Sequence, residues 1–251
     1  VSGTWDLAGS PYYINGDINV PAGQLLTIEP GVVLDFLGYY KLTVYGQLEA
    51  IGTETDSIIF GSVPAYQNWN GLQFENPSIV SHLDFCTMVC DFAFQGLILC
   101  HHSDPVISHC RISGNTSLVG GGGITISNSD AEISNCVISG NGDNTGGYAG
   151  GVLCLGPAQP NIVNCLIEGN LGGGIQITGS EACPVLDSCT IASNSAFMGG
   201  GIRITDGASC TLTNCFLLDN LAIETDSRGG GIYMQSPDGS LYINESTLEG
   251  N

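Results

Sequence analysis

The sequence predicts an all-β solenoid, in which short parallel strands stack coil upon coil around one apolar core. Three observations predict it. A seven-residue motif occurs twice, as NCVISGN at 135–141 and as NCLIEGN at 164–170. Apolar residues inside each repeat alternate with a period of two, which is typical of strands rather than helices. The chain has 37 glycines in 251 residues. Together with abundant Ile, Val, Thr and Asn, they favour strands joined by tight turns.

The first repeated block is built around a cysteine and keeps a constant length. The cysteine recurs at Cys86, Cys110, Cys136, Cys165, Cys189 and Cys215, with Ser246 next in line. An apolar residue lies three positions before each one, at Leu83, Ile107, Ile133, Ile162, Leu186, Leu212 and Ile243. Asn or Asp lies five positions after each one, at Asp91, Asn115, Asn141, Asn170, Asn194, Asn220 and Asn251. A constant length is required because a one-residue slip would turn a strand inside out.

The second block places an apolar residue after glycines, at Leu97, Ile124, Val152, Ile175, Ile202 and Ile232. A second apolar residue follows two positions later, at Leu99, Ile126, Cys154, Ile177, Ile204 and Met234. The copies recur roughly every 27 residues, which is a solenoid period. About nine such coils fit in the chain, and each must stack on its neighbours because it is too short to fold alone.

The repeat from Ile162 to Ile177 reads I-x-N-C-x-I-x-G-N, a loop, and then G-G-I-x-I. This pattern resembles the right-handed parallel β-helix repeat proteins of the pectate-lyase-like superfamily. The opening segments INGDINVPAGQLLTIEPGVVLDFLG, KLTVYGQLEAIGTETDSIIF and NWNGLQF are similar to the first coils of secreted and surface-exposed bacterial members. The resemblance implies a right-handed single-stranded parallel β-helix of about nine coils. It leaves the activity open, because this fold hosts lyases, hydrolases, epimerases, adhesins and inert shafts.

We interpret residues 1–251 as one β-helix domain. Residues 1–70 form the N-terminal coils and cap, and residues 71–251 form the regular repeats with their Cys and Asn columns. The sequence shows no cap for the C-terminal end, and an uncapped solenoid exposes strand edges. Two hypotheses follow: the chain is a fragment of a longer protein, or it self-associates end to end through that open end.

The charge balance excludes several partners. The net charge is −20, with only four basic residues, Lys41, Arg111, Arg203 and Arg228. Nucleic-acid binding is excluded because too few cations are present to neutralise phosphates. Anionic membranes are repelled for the same reason, and no run of about 18 apolar residues predicts a membrane span. We expect an extracellular or cell-surface protein, read as a mature chain after signal-peptide removal.

The cysteine and asparagine columns have structural interpretations. Stacked cysteines behave as small buried hydrophobes, so the column is predicted to be a reduced internal ladder. Cys183 and Cys210 fall near the same turn of adjacent coils and are the pair best placed for a disulfide. The asparagines are predicted at tight corners, where they adopt the left-handed conformation and hydrogen-bond to their stacked copies.

Histidines cluster with cysteines between positions 82 and 110, and these residue types suit zinc or copper. The four histidines are His82, His101, His102 and His109. The register distributes them around the coil, so no metal site is predicted, and HHSDP at 101–105 is interpreted as a polar loop. Acidic residues recur after the glycine-preceded strands, at Asp104, Asp130, Glu181, Asp206 and Asp238. We interpret these as turn residues, with weak calcium binding as the alternative and no other cofactor.

The resemblance implies that an enzyme of this kind would place its carboxylates on the outer face of one sheet, and we test the glycine-preceded sheet for them. Its predicted outward positions are Gln73, Glu75, Ile98, Cys100, Thr125, Ser127, Leu153, Leu155, Gln176, Thr178, Arg203, Thr205, Tyr233 and Gln235. One carboxylate and one arginine lie about five coils apart on this face. A glycosidase needs two carboxyl groups within about 5–9.5 Å, so no catalytic residues are assigned.

Long loops before the glycine-preceded strands are the predicted place for recognition, because loops on a rigid scaffold carry binding residues. The candidate binding residues are Asp143, Asn144, Tyr148, Phe197, Glu224, Asp226 and Arg228. Our leading hypothesis is a non-enzymatic extracellular shaft or binding module that binds polysaccharide or cell-surface glycan, or acts as an adhesin. One alternative is a polysaccharide-active lyase or hydrolase that uses loop carboxylates, chiefly Asp143, Glu224 and Asp226. The other is a structural protein that assembles end to end.

Overall fold

The computed structural model describes residues 1–61, 69–75, 79–90, 93–117, 120–142, 148–223 and 227–251. These residues form three parallel sheets of ten, ten and nine strands, here called sheets I, II and III. The chain visits the sheets in that order and then returns to sheet I one level further on. This arrangement confirms the predicted all-β parallel solenoid and agrees with about nine coils.

The strands are short, because each spans only one side of a coil. Sheet I contains Gly3–Trp5, Leu25–Ile28, Gln47–Ile51, His82–Asp84, Val106–Ser108, Glu132–Ser134, Asn161–Val163, Val185–Asp187, Cys210–Thr213 and Leu241–Asn244. Sheet II contains Tyr12–Ile14, Val33–Phe36, Ile58–Gly61, Cys86–Val89, Arg111–Ser113, Val137–Ser139, Leu166–Glu168, Thr190–Ala192, Phe216–Leu218 and Thr247–Glu249. Sheet III contains Ile18–Val20, Leu42–Val44, Leu72–Glu75, Ile98–His101, Ile124–Ser127, Val152–Leu155, Ile175–Thr178, Ile202–Thr205 and Ile232–Gln235.

Two smaller elements decorate the coils. A 3-10 turn spans Leu7–Gly9, and the Asp6 side chain caps it by accepting a hydrogen bond from the Gly9 backbone N–H at 3.0 Å. A separate pair of parallel strands, Ser195–Ala196 and Leu221–Ala222, joins two loops that precede sheet III. These loops therefore continue the stacking of the coils beyond the main sheets.

The last coil differs from the interior coils in its exposure. Ile243 and Leu248 occupy positions that are buried in earlier coils, such as Leu212 and Leu217, yet 45% and 46% of their surfaces are exposed. Self-association through this end stays a prediction.

Side chains stack in register along sheet III. Ile124 pairs with Val152, which pairs with Ile175, and this column continues through Ile202. All four side chains are fully buried in the core. Their burial confirms the predicted inward positions, because alternate residues of a strand point to opposite faces.

The prediction for one coil was wrong by one residue. The sequence pattern predicts that Leu97 and Leu99 face the core and that Ile98 and Cys100 face outward. In the structure, Ile98 pairs with Ile124 and Cys100 pairs with Ile126. Ile98 and Cys100 are therefore core residues, and Leu99 and His101 face outward in this coil. Period-two alternation cannot be assigned within the apolar run Leu97–Cys100, where either phase buries hydrophobic residues.

The left-handed corner between sheets I and II lies directly before the cysteine column. Asn135, Asn164 and Asn214 occupy it with φ of 54°, 52° and 54°. Asn164 donates a hydrogen bond from Nδ2 to Asn135 Oδ1 at 2.7 Å. Asparagine suits this corner because its short polar side chain tolerates the left-handed region.

The predicted conformation of the other asparagine column was wrong by one position. At the corner after sheet II the left-handed residue is the one before the asparagine, as at Gly140 and Gly169, with φ of 62° and 61°. Asn141 and Asn170 themselves are fully buried. The predicted bonds between stacked copies are confirmed, since Asn141 Nδ2 donates to Asn170 Oδ1 at 3.1 Å. The buried side-chain amides thus provide hydrogen-bond partners for backbone N–H and C=O groups that water cannot reach at this corner.

The structure describes all eleven cysteines; none of them forms a disulfide, and all except Cys183 are buried. Cysteines of the column donate to backbone carbonyl oxygens of the preceding coil, for example Cys189 Sγ to Ile162 O at 3.3 Å. The pKa of Cys165 and Cys189 is raised to about 12. The largest cause is the hydrogen bond with a neighbouring thiol of the column, and burial raises the pKa further. The column is the internal ladder that the repeat predicted, and the structure does not form the alternative Cys183–Cys210 disulfide.

Thiol labelling should distinguish Cys183 from the rest. The thiolate is the reactive form, so buried thiols with raised pKa values should label only when the protein opens. We expect one rapidly labelled cysteine per native chain at pH 8 and eleven after denaturation, counted by mass spectrometry with a maleimide. A Cys183→Ser variant should show no rapid labelling. Rapid modification of Cys165 or Cys189 in the native protein would contradict the buried column.

Candidate functional site

Two clefts formed by described residues lie on the outer face of sheet III, toward opposite ends of the regular repeats. The first has a volume of about 490 Å³ and lies where the last two strands of the sheet end. Its walls are polar, with the lining residues Ser180, Arg203, Thr205, Asp206, Gly207, Gln235, Pro237 and Asp238. Small-ligand sites are usually concave and mainly apolar, with a few polar groups that orient the ligand. This cleft differs in being lined mainly by polar residues.

Arg203 is the cationic group of this cleft. It lies on the outward face of the strand Ile202–Thr205, between Gln176 and Tyr233 in the neighbouring strands. The Nε atom of Arg203 is buried and has no hydrogen-bond partner among the residues that the structure describes. An unpaired buried donor costs free energy, and the half-buried Arg203 side chain is the one basic residue that lines this cleft.

Asp206 is the acidic group beside it, in the turn after the same strand. Its Oδ2 accepts a hydrogen bond from Thr178 Oγ1 at 2.6 Å. The hydroxyls of Thr178 and Thr205, and then the Arg203 guanidinium, lower the pKa of Asp206. Asp206 and Gly207 have φ of 57° and 82°, which confirms the turn predicted for this dipeptide. The carboxylate is therefore ionised at neutral pH and can accept further hydrogen bonds.

Tyr233 and Gln235 complete the surface on the last strand of the sheet. The Tyr233 hydroxyl donates to Gln235 Oε1 at 2.9 Å. This bond uses the amide oxygen of Gln235, a residue that lines the cleft together with Arg203, and leaves its amide nitrogen available as a donor. The arrangement places donors and acceptors within one pocket, which suits a ligand with several hydroxyl groups.

The second cleft is smaller, about 270 Å³, and lies on the same face toward the N-terminal coils. Its lining residues are Glu75, Gln95, Leu99, His101, Thr125, Ser127 and Leu155. His101 Nδ1 lies 2.9 Å from Glu75 Oε2. The interpretation of 101–105 as a loop was wrong for His101, which is the last residue of the strand Ile98–His101. The one-residue error in the predicted register of that coil left His101 out of the predicted outward positions.

Two more histidines pair with carboxylates on other surfaces. His82 Nδ1 lies 2.9 Å from Glu49 Oε1, and His109 Nδ1 lies 2.8 Å from Asp84 Oδ1. Three of the four histidines therefore have an acidic partner of their own, and these three lie on different parts of the coils. In the described ranges, no three His, Cys, Asp or Glu side chains come together as metal ligands.

Acidic residues in the turns after sheet III support the next coil. Asp104 Oδ1 accepts from the Asp130 backbone N–H at 2.7 Å, and Asp130 Oδ1 accepts from the Gln159 backbone N–H at 3.0 Å. These bonds are the turn role that the sequence predicts. Calcium binding by these turns stays a prediction.

The predicted loop residues are only partly within the described chain. Asp143, Asn144, Glu224 and Asp226 lie outside the described residues. Tyr148 and Phe197 are each 41% exposed. Arg228 is also exposed, and its backbone N–H donates to Phe197 O at 3.4 Å. The structure brings Phe197 and Arg228 together in neighbouring coils. Tyr148 precedes a strand two levels away in sheet III, and a binding role for these three residues stays a prediction.

The three stacked sheets, the inward apolar columns and the clefts on one outer face define a parallel β-helix. Residues 70–251 match the family model described as "Right handed beta helix region". The chain belongs to this family. The earlier coils share the architecture, since the strand Leu42–Val44 pairs directly with Leu72–Glu75.

One curated protein is similar over a short segment. "Protein bark beetle" from Drosophila melanogaster is 45% identical over 53 residues, which are 21% of this chain and 2% of that protein. The chain thus matches a very small part of that relative's length. No solved structure matches the chain significantly. Within the described residues, no helix is long and apolar enough to cross a membrane.

Proposed function

We propose that the chain is an extracellular glycan-binding module, and that the cleft around Arg203 binds the sugar. The observation behind this proposal is the polar cleft of about 490 Å³, which contains a partly buried guanidinium with an unpaired Nε. Sugar hydroxyls both donate and accept hydrogen bonds. They therefore match a site that combines Arg203 with the carboxylates of Asp206 and Asp238 and the amide of Gln235.

The charges favour a neutral glycan over an acidic one. One guanidinium faces two carboxylates in the cleft, and the whole chain carries a net charge of −20. An acidic polysaccharide would meet repulsion both near the site and during approach. A neutral sugar instead lets Arg203 donate to ring or hydroxyl oxygens while Asp206 and Asp238 accept from hydroxyl groups. The rigid coils hold these side chains in fixed positions, which lowers the entropic cost of binding.

A glycan array followed by titration of the best ligand tests the proposal. Replacing Arg203 by alanine should weaken binding at least about tenfold, because a hydrogen bond to a charged donor contributes about 1.5–3 kcal/mol. Arg111→Ala is the matched control, since Arg111 is exposed on sheet II and its loss changes the net charge equally. The Arg111 variant should bind as the wild type does. Absence of any glycan ligand, or equal affinity of both variants, would overturn the proposal.

A further inference from the structure

Three functional side chains share one column on the outer face of sheet III. Glu75 pairs in register with His101, and His101 pairs with Ser127 in the next strand. All three line the cleft of about 270 Å³. The repeat therefore places a carboxylate, an imidazole and a hydroxyl in sequence over three consecutive coils, about 4.8 Å apart from one level to the next.

The Glu75–His101 contact orients the imidazole. The carboxylate accepts a hydrogen bond at 2.9 Å, so the proton of the neutral ring resides on Nδ1. Nε2 is then left with a free lone pair and can act as a base. The side chains of His101 and Glu75 are 39% and 28% exposed, so both can be reached from the cleft. The ring of His102 lies 4.4 Å from the His101 ring and limits its movement on one side.

Ser127 lies on the side of His101 opposite to Glu75. Its Oγ accepts a hydrogen bond from Asn128 Nδ2 at 3.2 Å. This bond uses a lone pair and leaves the hydroxyl proton free to be donated. Ser127 is the last residue of the strand Ile124–Ser127, and it lines the cleft. Leu99 and Leu155 provide the apolar part of the same lining.

We propose that this column is an acyl-transfer site that hydrolyses carboxylic esters with a short acyl group. Ser127 Oγ attacks the ester carbonyl carbon, and its proton passes to His101 Nε2. The C–O bond to the alcohol breaks, and the alcohol leaves with that proton. Water then attacks the acyl-serine, gives one proton through His101 back to Ser127 Oγ, and releases the carboxylic acid. Glu75 is a positioning residue, because it orients His101 and stabilises the imidazolium.

The molecule contains a matched comparison for this column. His82 and Glu49 form the same pair at 2.9 Å, with side-chain exposures of 42% and 20%. The next residue in that column is Val106 instead of serine. The second pair therefore supplies the base without a nucleophile, and we expect it to be inactive.

Hydrolysis of p-nitrophenyl acetate by the full chain tests the site. Ser127→Ala and His101→Gln should each lower kcat/KM about 100-fold or more, whereas His82→Gln should leave it unchanged. Glu75→Gln should also lower the rate, and Glu75→Asp should restore part of it because a carboxylate again holds the imidazole. Far-UV circular dichroism checks that each variant retains the β-helix.

A fluorophosphonate probe provides a test that needs no variant. It should attach to Ser127 in the wild type, as located by peptide mass spectrometry, and His101→Gln should abolish the attachment. Lack of labelling at Ser127 would overturn the proposal, as would hydrolysis by Ser127→Ala at the wild-type rate. Either result would leave the glycan proposal untouched, because Arg203 lies in a separate cleft.

Discussion

Replacing Asn170 by alanine should lower the free energy of unfolding by about 3–5 kcal/mol. Asn170 is fully buried in the middle of the asparagine column. Its Oδ1 accepts from the backbone N–H and from Nδ2 of Asn141, at 3.0 and 3.1 Å. Its Nδ2 donates to Ile138 O and to Asn194 Oδ1, at 3.0 and 2.9 Å. One side chain thus holds together three levels of the solenoid.

The large effect comes from the partners that the substitution leaves behind. Without the amide, the Asn141 N–H, the Asn141 Nδ2 and the Ile138 carbonyl oxygen are buried without their bonds to residue 170. Each such group costs about 1–3 kcal/mol, and partial relaxation keeps the total below the simple sum. Asn170→Asp keeps the size of the side chain but removes the donor, so it should also destabilise strongly at neutral pH.

Urea unfolding followed by far-UV circular dichroism measures the change. Asn161→Ala is the control, because Asn161 is an exposed residue of sheet I in the same coil, and its replacement should change stability by less than about 0.5 kcal/mol. If Asn170→Ala and Asn161→Ala unfold at the same urea concentration, the asparagine column does not stabilise the coils.

The asparagine column also shows how far the sequence predicts the fold. Its register could be predicted, because the number of residues from Cys165 to Asn170 equals that from Cys136 to Asn141. The left-handed residue could not be placed as reliably. Gly169 and Asn170 both tolerate that conformation, and burial of the amide decides between them. The residue types at this corner thus predict that one residue adopts the left-handed conformation, and packing determines that this residue is Gly169.

The two clefts were harder to predict, for different reasons. The prediction that Glu75 faces outward was correct. The one-residue error at Leu97 placed His101 outside the predicted column, so the Glu75–His101 pair was not predicted. The separation between Glu75 and His101 in the sequence equals the separation between His101 and Ser127. This equal spacing is the signal that could have predicted that the three residues share one column. The unpaired Nε of Arg203 has no signature in the sequence, because it depends on which atoms surround the guanidinium.

Trp69→Ala should destabilise the chain by about 3–5 kcal/mol, through a cavity in the first coils. Trp69 is fully buried. Its ring stacks on Phe36 with centroids 4.4 Å apart and lies 6.3 Å from the ring of Phe60. Its Nε1 donates to Val89 O at 3.2 Å. The side chain therefore fills the core at the junction of sheets II and III, and alanine would remove the indole that packs against both phenylalanine rings.

Two variants separate packing from hydrogen bonding at this position. Trp69→Phe keeps a ring in the core but leaves the Val89 carbonyl oxygen without this donor, so we expect a smaller loss of about 1–2 kcal/mol. Trp5→Ala is the aromatic control, since Trp5 is only half-buried and stacks on Tyr12 with centroids 4.5 Å apart. It should destabilise less than Trp69→Ala does. Equal unfolding midpoints for Trp5→Ala and Trp69→Ala would contradict the stacked core.

The damage from Trp69→Ala should also stay local, because each coil of a solenoid contacts only its neighbours. Hydrogen exchange should accelerate in the strands Val33–Phe36 and Ile58–Gly61, which surround the cavity, and should stay unchanged in Ile202–Thr205. The Arg203 cleft should therefore keep its structure in this variant. Accelerated exchange in all three strands to the same degree would instead show that the coils open as one cooperative unit. A change in stability at the first coils would then also change the stability of the coils that form the Arg203 cleft.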